Sequence, residues 1–344
     1  MYISSLLEWP FFERKWDLLA GPLAAVRFHQ GRLIGRTESL NGSGQQAFLE
    51  TLCDDVVSSG EIEDERLDAG AVRASIARRL GIEGEAAAAA PHIEGLVEVT
   101  LDAARNHDQP LTSDRILGWH AALFGSNGKY HVEPASVRIE QELRRFVRWF
   151  QSDSETDPVM KAALAHLWFV TIHPFDHGNG HIARAIGDLA LARSQSNSQR
   201  LFSMSAQIRR ERSAYQNILA QTQRSTLDVT PWMEWFLGCL DRAIGSADAA
   251  LSKLPVKAHV SPPAHAAQLN KRQRLVVEAL LDGSEDKLTT SQYAKLAKCS
   301  QDTALRDIAS LVKRGVVVRN AKGGRSTSYG LAESGTATTA QPTC

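Results

Sequence analysis

The stretch His173 to Arg184, H-P-F-D-H-G-N-G-H-I-A-R, constrains this chain more than any other. The run before it, Val159 to Ile172 (VMKAALAHLWFVTI), has the length and apolar character of a buried helix. Pro174 cannot continue that helix, because it lacks an N–H and its ring clashes with the preceding turn. Asp176 to Gly180 then supply small turn-forming residues, and His181 to Arg193 reads as a second helix with Ile182, Ala185, Ile186 and Leu189 on one apolar face. A glycine-rich loop that feeds a helix start gathers unpaired backbone N–H groups at the positive end of the helix dipole, which is a site for an anion, most often a phosphate. His173 stands at the loop entrance, where a neutral imidazole takes a proton from an incoming hydroxyl. Arg184, one turn into the helix, has the planar fork that grips phosphate oxygens.

This stretch resembles the signature of Fic proteins, which usually transfer AMP from ATP to a hydroxyl side chain of a target protein. The family pattern is H-x-F-x-D/E-G-N-G-R-x-x-R, and His173, Phe175, Gly178, Asn179, Gly180 and Arg184 match it. The resemblance implies His173 as the base, Phe175 as a packing anchor, and a nucleotide site of Phe175, Gly178, Asn179, Gly180, His181 and Arg184. Two positions depart. His177 stands where the family has an acidic ligand for Mg²⁺, and His181 stands where it has its first arginine. Mg²⁺ takes hard oxygen ligands in octahedral geometry, for which imidazole is a poor substitute. The adjacent Asp176 is the remaining carboxylate, so His177 and Asp176 are the metal candidates. Replacing the arginine by His181 removes a permanent charge, and losing one such donor costs roughly 2–4 kcal/mol of transition-state stabilisation.

Other readings of the same residues exist. His173, His177 and His181 recur every four positions, which on an unbroken helix would be a metal stripe; Pro174 and the Gly-Asn-Gly break forbid one. A buried helix pair with satisfied histidines is the plainest reading, and it leaves the Gly-Asn-Gly loop without a purpose.

With 344 residues the chain divides into two or three domains, and its formal net charge of zero advertises neither nucleic acid nor membrane. Cys53, Cys239, Cys299 and Cys344 lack pair or ligand spacing, which argues for a reducing compartment. Met1 to Trp16 carries charges inside what would have to be an apolar signal core, and no run reaches about 18 apolar residues. A cytoplasmic protein without membrane contact is expected; monomer or homodimer is left open.

Trp16, Leu19, Leu23 and Val26, and then Phe48 and Leu52, recur at helical spacing in an N-terminal region, with Phe28, Leu33 and Ile34 adding apolar bulk. Trp9-Pro10 and Gly31 to Gly35 are similar to one large bacterial subgroup of Fic proteins. Ser58 to Glu65 (SSGEIEDE) resembles that family's inhibitory motif, S/T-x-x-x-E followed by Gly or Asn, through Ser59 and Glu63; Asp64 replaces the small residue. In the family this glutamate pairs with the second signature arginine, here Arg184, and an Arg–carboxylate fork competes with phosphate for the same donors. The plain alternative is a solvated acidic helix start.

Arg73 to Leu80, His92 to Asn106, Ser113 to Phe124 and Ala135 to Phe150 read as helices, with His120 a core or boundary residue. The β-hairpin flap that docks target segments in Fic proteins would fall at Gly125 to Pro134, where about ten residues are too few, so it is expected to be truncated or absent. Gln207 to Gln223 reads as one helix, with Tyr215 and Asn217 either near the nucleotide base or plain helix core and surface. Thr230-Pro231 opens another, with a core stripe of Trp232, Trp235, Phe236, Leu240 and Ile244.

Ser246 to Gln268, with Pro255, Pro262 and Pro263, reads as a linker. Beyond it come helices at Lys271 to Leu281, Thr290 to Ala297 and Asp302 to Arg314, then strands at Val316 to Val318 and Thr327 to Leu331 around a Gly-Gly turn, the order of a winged helix. Leu269 to Leu331 holds twelve Lys/Arg and six Asp/Glu, and Arg306, Lys313, Arg314 and Arg325, with Lys322, are the residues expected to meet double-stranded DNA; a protein partner or a merely solubilising face remain open.

The expectation is a mainly α chain: a helical region with an inhibitory motif at 1–90, a Fic core at 91–245, a linker at 246–268, a winged helix-turn-helix domain at 269–331 and a disordered tail at 332–344. The expected function is AMP transfer from ATP to a protein, self or other, with Mg²⁺ in doubt and Glu63 inhibiting. The alternative is a silent Fic fold that regulates through its DNA-binding winged helix.

Overall fold

A computed structural model describes residues 2–37, 43–82, 89–125, 135–152, 156–195, 200–253, 269–281, 288–320 and 327–331. Within them the chain is mainly helical: α1 (Trp16–Thr37), α2 (Ser43–Ile62), α3 (Ala69–Leu80), α4 (Pro91–Arg105), α5 (Ser113–Phe124), α6 (Ala135–Gln151), α7 (Pro158–Ile172), α8 (Asn179–Gln195), α9 (Met204–Arg210), α10 (Arg212–Gln223), α11 (Thr230–Lys253), α12 (Lys271–Leu281), α13 (Thr290–Leu296) and α14 (Gln301–Lys313), with strands β1 (Val317–Arg319) and β2 (Tyr329–Leu331). They form two compact units, one ending at Lys253 and one holding residues 269–331.

In the first unit the apolar run before the signature becomes α7, a helix apolar all round and therefore central. It lies along α8, and α4, α6 and α11 pack around the pair. Asp157 caps α7 by accepting from Val159 N at 2.8 Å, with Pro158 in its first turn. α1 buries Leu19, Leu23, Val26 and Leu33 and packs on α11. Trp16 and Phe28, expected to pack, are 53% and 66% exposed: Trp16 is the first residue of the helix, and Phe28 lies across it from the Leu19–Val26 face. Of the expected core stripe, Trp232, Phe236, Leu240 and Ile244 are buried, and Trp235 is half-buried.

Two expectations fail here. The stretch 207–223 is not one helix but two, broken at Glu211, whose carboxylate takes two hydrogen bonds of 2.6 Å from Arg242 on α11 and one from Gln207. Nor does a linker begin at Ser246. α11 continues to Lys253, because Arg32 and Arg36 of α1 both pair with Asp248 and hold that turn in the fold. The rest of the linker, the flap segment 126–134, the Gly-Gly turn with Lys322 and Arg325, and the tail lie outside the described residues.

In the second unit, Val276, Leu280, Tyr293, Ile308, Leu311 and Val317 form the core. α13 opens with a capping box in which Thr289 and Gln292 satisfy each other's backbone N–H groups. β1 and β2 pair antiparallel with Val318 opposite Gly330, and Leu288 bridges Tyr329 on the other edge.

Candidate active site

The signature loop is built by local stops. His173 ends α7 in the left-handed conformation (φ 51°), its N–H donating to Phe169 O at 3.1 Å. Asn179, the first residue of α8, clamps the loop from inside: its Oδ1 accepts from Phe175 N at 3.1 Å and its Nδ2 donates to Phe175 O at 2.5 Å. The buried amide of Asn179 is thus engaged by the Phe175 backbone and shapes the loop. Gly178 has φ 78°, and a Cβ there would meet the Phe124 ring at 2.5 Å, so only glycine fits. Phe175 is buried, and His120 stacks on it with centroids 4.1 Å apart and an interplanar angle of 17°. Sequence reading gave His120 only a general core role, because nothing near it in the chain points to a ring 55 residues away. Burial lowers the pKa of His120, against a hydrogen bond with the His177 backbone and the charge of Asp176.

His173, Asp176 and His177 line the exposed side of the loop. Among the described residues no three His, Cys, Asp or Glu side chains gather as a metal site. The periodic histidines diverge as expected, with His173 and His177 exposed and His181 buried.

The buried side is organised by Arg184. Its Nε donates to Ser59 Oγ at 2.9 Å, Nη1 to Glu63 Oε1 at 2.9 Å and Nη2 to the Ser59 carbonyl at 3.1 Å. Glu63 lies so close that a Cβ on Gly180 would come within 2.0 Å of its Oε1. Ser59 and Glu63 therefore meet Arg184 as the resemblance implied. The acidic run Glu61 to Glu65 is not a solvated helix start. It lies at the C-terminal end of α2, where negative charge opposes the dipole. Tertiary partners offset that: Arg209 pairs with Glu61, Arg212 grips Asp64 through two bonds of 2.7 and 2.6 Å, Arg184 holds Glu63, and His181 faces Glu65.

His181 has a defined tautomer. Because Ser59 Oγ accepts from Arg184, its hydroxyl is free to donate to His181 Nδ1 at 2.9 Å, and Arg184 Nη2 lies 3.3 Å from the same nitrogen. The ring proton is then on Nε2, which faces Glu65 Oε2 at 3.6 Å, too long for a hydrogen bond. Burial lowers the pKa of His181 despite Glu65, so the ring is neutral at the position where the family pattern has a permanent cation.

Tyr215 is a core residue of α10, close enough to Arg184 and Glu63 to feel their charges. It is buried and pairs with His166 Nε2 at 2.9 Å; burial pushes the tyrosine up to about 12 and His166 down to about 3. Asn217 is exposed surface. A neighbouring cluster was not anticipated: Arg200 reaches both Asp55 and Asp188 at 2.8 Å, all three largely buried, and burial pushes Asp188 up to about 7.

On α14 of the second unit, Arg306 and Lys313 are exposed and Arg314 half-buried, while Arg325 lies outside the described residues. Leu305 and Val312 share the exposed face, 49% and 39% accessible, which charge counting did not anticipate. Tyr293 and Arg272 hold Asp307 inward at 3.1 and 3.0 Å.

Comparison with known proteins agrees with this helix–loop–helix. Residues 110–191 match the Fic/DOC family, and residues 2–82 match a domain of unknown function (DUF4172). The protein adenylyltransferase Fic of Drosophila sechellia is 24% identical over 233 residues, and that of Nematostella vectensis 25% over 231. Each alignment covers 62% of this chain, and 46% and 52% of the relatives, so the chain spans about half the length of the curated proteins it matches. A solved Fic family protein from Desulfovibrio desulfuricans G20 shares the fold, with TM-score 0.58 and 17% identity over 93% of this chain and 97% of that one. The chain carries a Fic/DOC domain.

Proposed function

We propose that this chain transfers AMP from ATP to a hydroxyl side chain of a protein, itself or another, and that Glu63 holds it in an inhibited state. The observation that carries the reading is the Glu63–Arg184 pair, with the carboxylate lying against Gly180 at the start of α8. The first N–H groups of that helix have no intrahelical partner and suit an anion. Glu63 is the anion that occupies the place and engages the guanidinium that phosphate would need. It is 36% exposed, so it can leave without unfolding anything.

In the transfer, the acceptor hydroxyl oxygen attacks the α-phosphorus of ATP. The P–O bond to pyrophosphate breaks, and the hydroxyl proton passes to the imidazole of His173, which stands exposed at the end of α7. Asn179 and the His120–Phe175 stack keep the loop in shape. The described residues do not fit a protein-held Mg²⁺: His177 offers nitrogen, and Asp176 is a single exposed carboxylate beside it.

The second reading, a silent Fic fold that regulates through residues 269–331 and their DNA contacts, rests on His181. It is neutral, buried and bonded to Ser59, and so adds no charge to a phosphate site. One experiment separates the two. With ATP labelled on its α-phosphate, Glu63→Gly should raise self-labelling at least about tenfold, and adding His173→Ala should slow the labelling of that variant by about 10²–10⁴-fold, to background. Labelling at background in the Glu63→Gly protein overturns the transferase reading and leaves the silent one.

A further inference from the structure

Away from the signature loop, the segment after Trp9 folds against α6 and α7 and leaves a cleft of about 420 Å³, the size of a small-ligand pocket. None of its walls belongs to the loop, and Pro10, Phe11, Phe12 and Arg14 of the N-terminal region supply one of them. Its chemistry is specific. Phe11, Phe12, Trp149 and Trp168 give it aromatic surface, with Trp149 and Trp168 centroids 5.0 Å apart and Phe12 edge-on to Trp168 at 5.8 Å. Arg14 and Arg145 add two guanidiniums, and no carboxylate is among the described lining residues.

Three details narrow the ligand. Trp168 is 3% exposed, and its indole Nε1–H is buried without a hydrogen-bond acceptor among the described residues. A buried indole normally finds one, so this donor is a vacancy for an oxygen. Arg145 is already committed: it donates to the Trp9 carbonyl at 2.9 Å, lies over the Phe11 ring at 5.4 Å and has Glu142 at 4.0 Å. Arg14, in contrast, is exposed and makes no hydrogen bond or ion pair among the described residues. Aromatic walls alone would suit an organic cation. Two guanidiniums exclude one, and the nearby Lys161 ammonium, 5.6 Å from the Trp149 ring, adds to the positive field.

We propose that this cleft binds a small aromatic carboxylate, its ring lying among Phe12, Trp149 and Trp168 and its two oxygens taking the Trp168 indole N–H and the Arg14 guanidinium. A carboxylate can accept from an N–H with one oxygen and pair with a guanidinium through the other, and a bicyclic ring system suits the volume. The site is independent of the transferase reading, although α7 carries both Trp168 and, at its end, His173.

The test is calorimetric titration of the full chain with naphthalene-2-carboxylate, beside naphthalene-2-carboxamide and 2-naphthylmethylammonium, with tryptophan fluorescence as a second readout. The carboxylate should bind with Kd of about 0.1 mM, the range for a ligand of this size. The amide should bind about tenfold more weakly and the ammonium weaker still. Arg14→Ala, at an exposed position, should weaken the carboxylate about tenfold and leave the amide unchanged. Trp168→Phe should weaken both, because both can accept from the indole N–H. No binding at 1 mM, equal affinity for carboxylate and amide, or tighter binding of the ammonium overturns the proposal. So does unchanged carboxylate affinity in Arg14→Ala, which remains decisive if the Trp168 variant fails to fold.

Discussion

Asp55, Ser59 and Glu63 stand four residues apart along α2 and its end, and the first and last of them do opposite things with an arginine. Asp55 holds Arg200, and the pair is sealed: side-chain exposures are 2% and 5%, Ser203 donates to Asp55 at 2.5 Å, and Asp188 closes the other side. Glu63 holds Arg184 at much the same distance, but Arg184 is 3% exposed and Glu63 is 36%. A carboxylate with both ends of its pair dry cannot leave without stranding a charge. A carboxylate with one flank in water can exchange its partner for solvent. One stripe of one helix thus supplies a permanent anchor and a removable latch, and burial rather than residue type decides which is which.

Three measurements sharpen or break that contrast. The largest effect is expected from Asp55→Ala, which leaves Arg200 with only Asp188 and should cost about 3–5 kcal/mol in denaturant unfolding, as breaking a buried pair does. A loss below about 1 kcal/mol would mean that the cluster is wetter than its burial indicates. Next comes Asp188→Asn. Burial holds the Asp188 pKa at about 7, above its unfolded value, so the folded state keeps a proton that the unfolded state loses. The resulting stability is fully present below the unfolded pKa of about 3.9 and is lost as pH rises toward 7, at up to about 1.4 kcal/mol per pH unit. Stability measured from pH 4.5 to 7 should therefore fall less steeply in Asp188→Asn than in wild type; parallel curves would remove the retained proton from the account. The smallest effect is expected from Glu63→Ala, within about 1 kcal/mol of wild type because water screens the exposed carboxylate. A cost as large as that of Asp55→Ala would make the latch an anchor.

How much of this was legible in the sequence follows from how local each signal is. The α7–loop–α8 unit could be read because Pro174, Gly178 and the apolar runs act on their immediate neighbours. Glu63 and Arg184, 121 residues apart, were paired only through a motif resemblance. The anchor had no such help: Asp55 and Arg200 are 145 residues apart, and each reads in isolation as an ordinary surface charge. The break at Glu211 was hidden for the same reason, since Arg242, which pins it, belongs to another helix. Pro255, Pro262 and Pro263 with Ala and Ser suggested a linker from Ser246 by composition, and two arginines of α1 overrode it at its start.

Gly95 on α4 has no part in the chemistry, yet a Cβ there would lie 1.9 Å from the carbonyl oxygen of Ala122 on α5. The two backbones touch, so this crossing sets where α5 lies. Two positions on the same helix, His120 and Phe124, are the rings against which Phe175 and Gly178 are moulded. The signature loop is therefore gauged from outside, by a spacing that holds only while position 95 has no side chain. A methyl group there would arrive at the loop as misplaced rings, an error carried by geometry across two helices with every signature residue still in place.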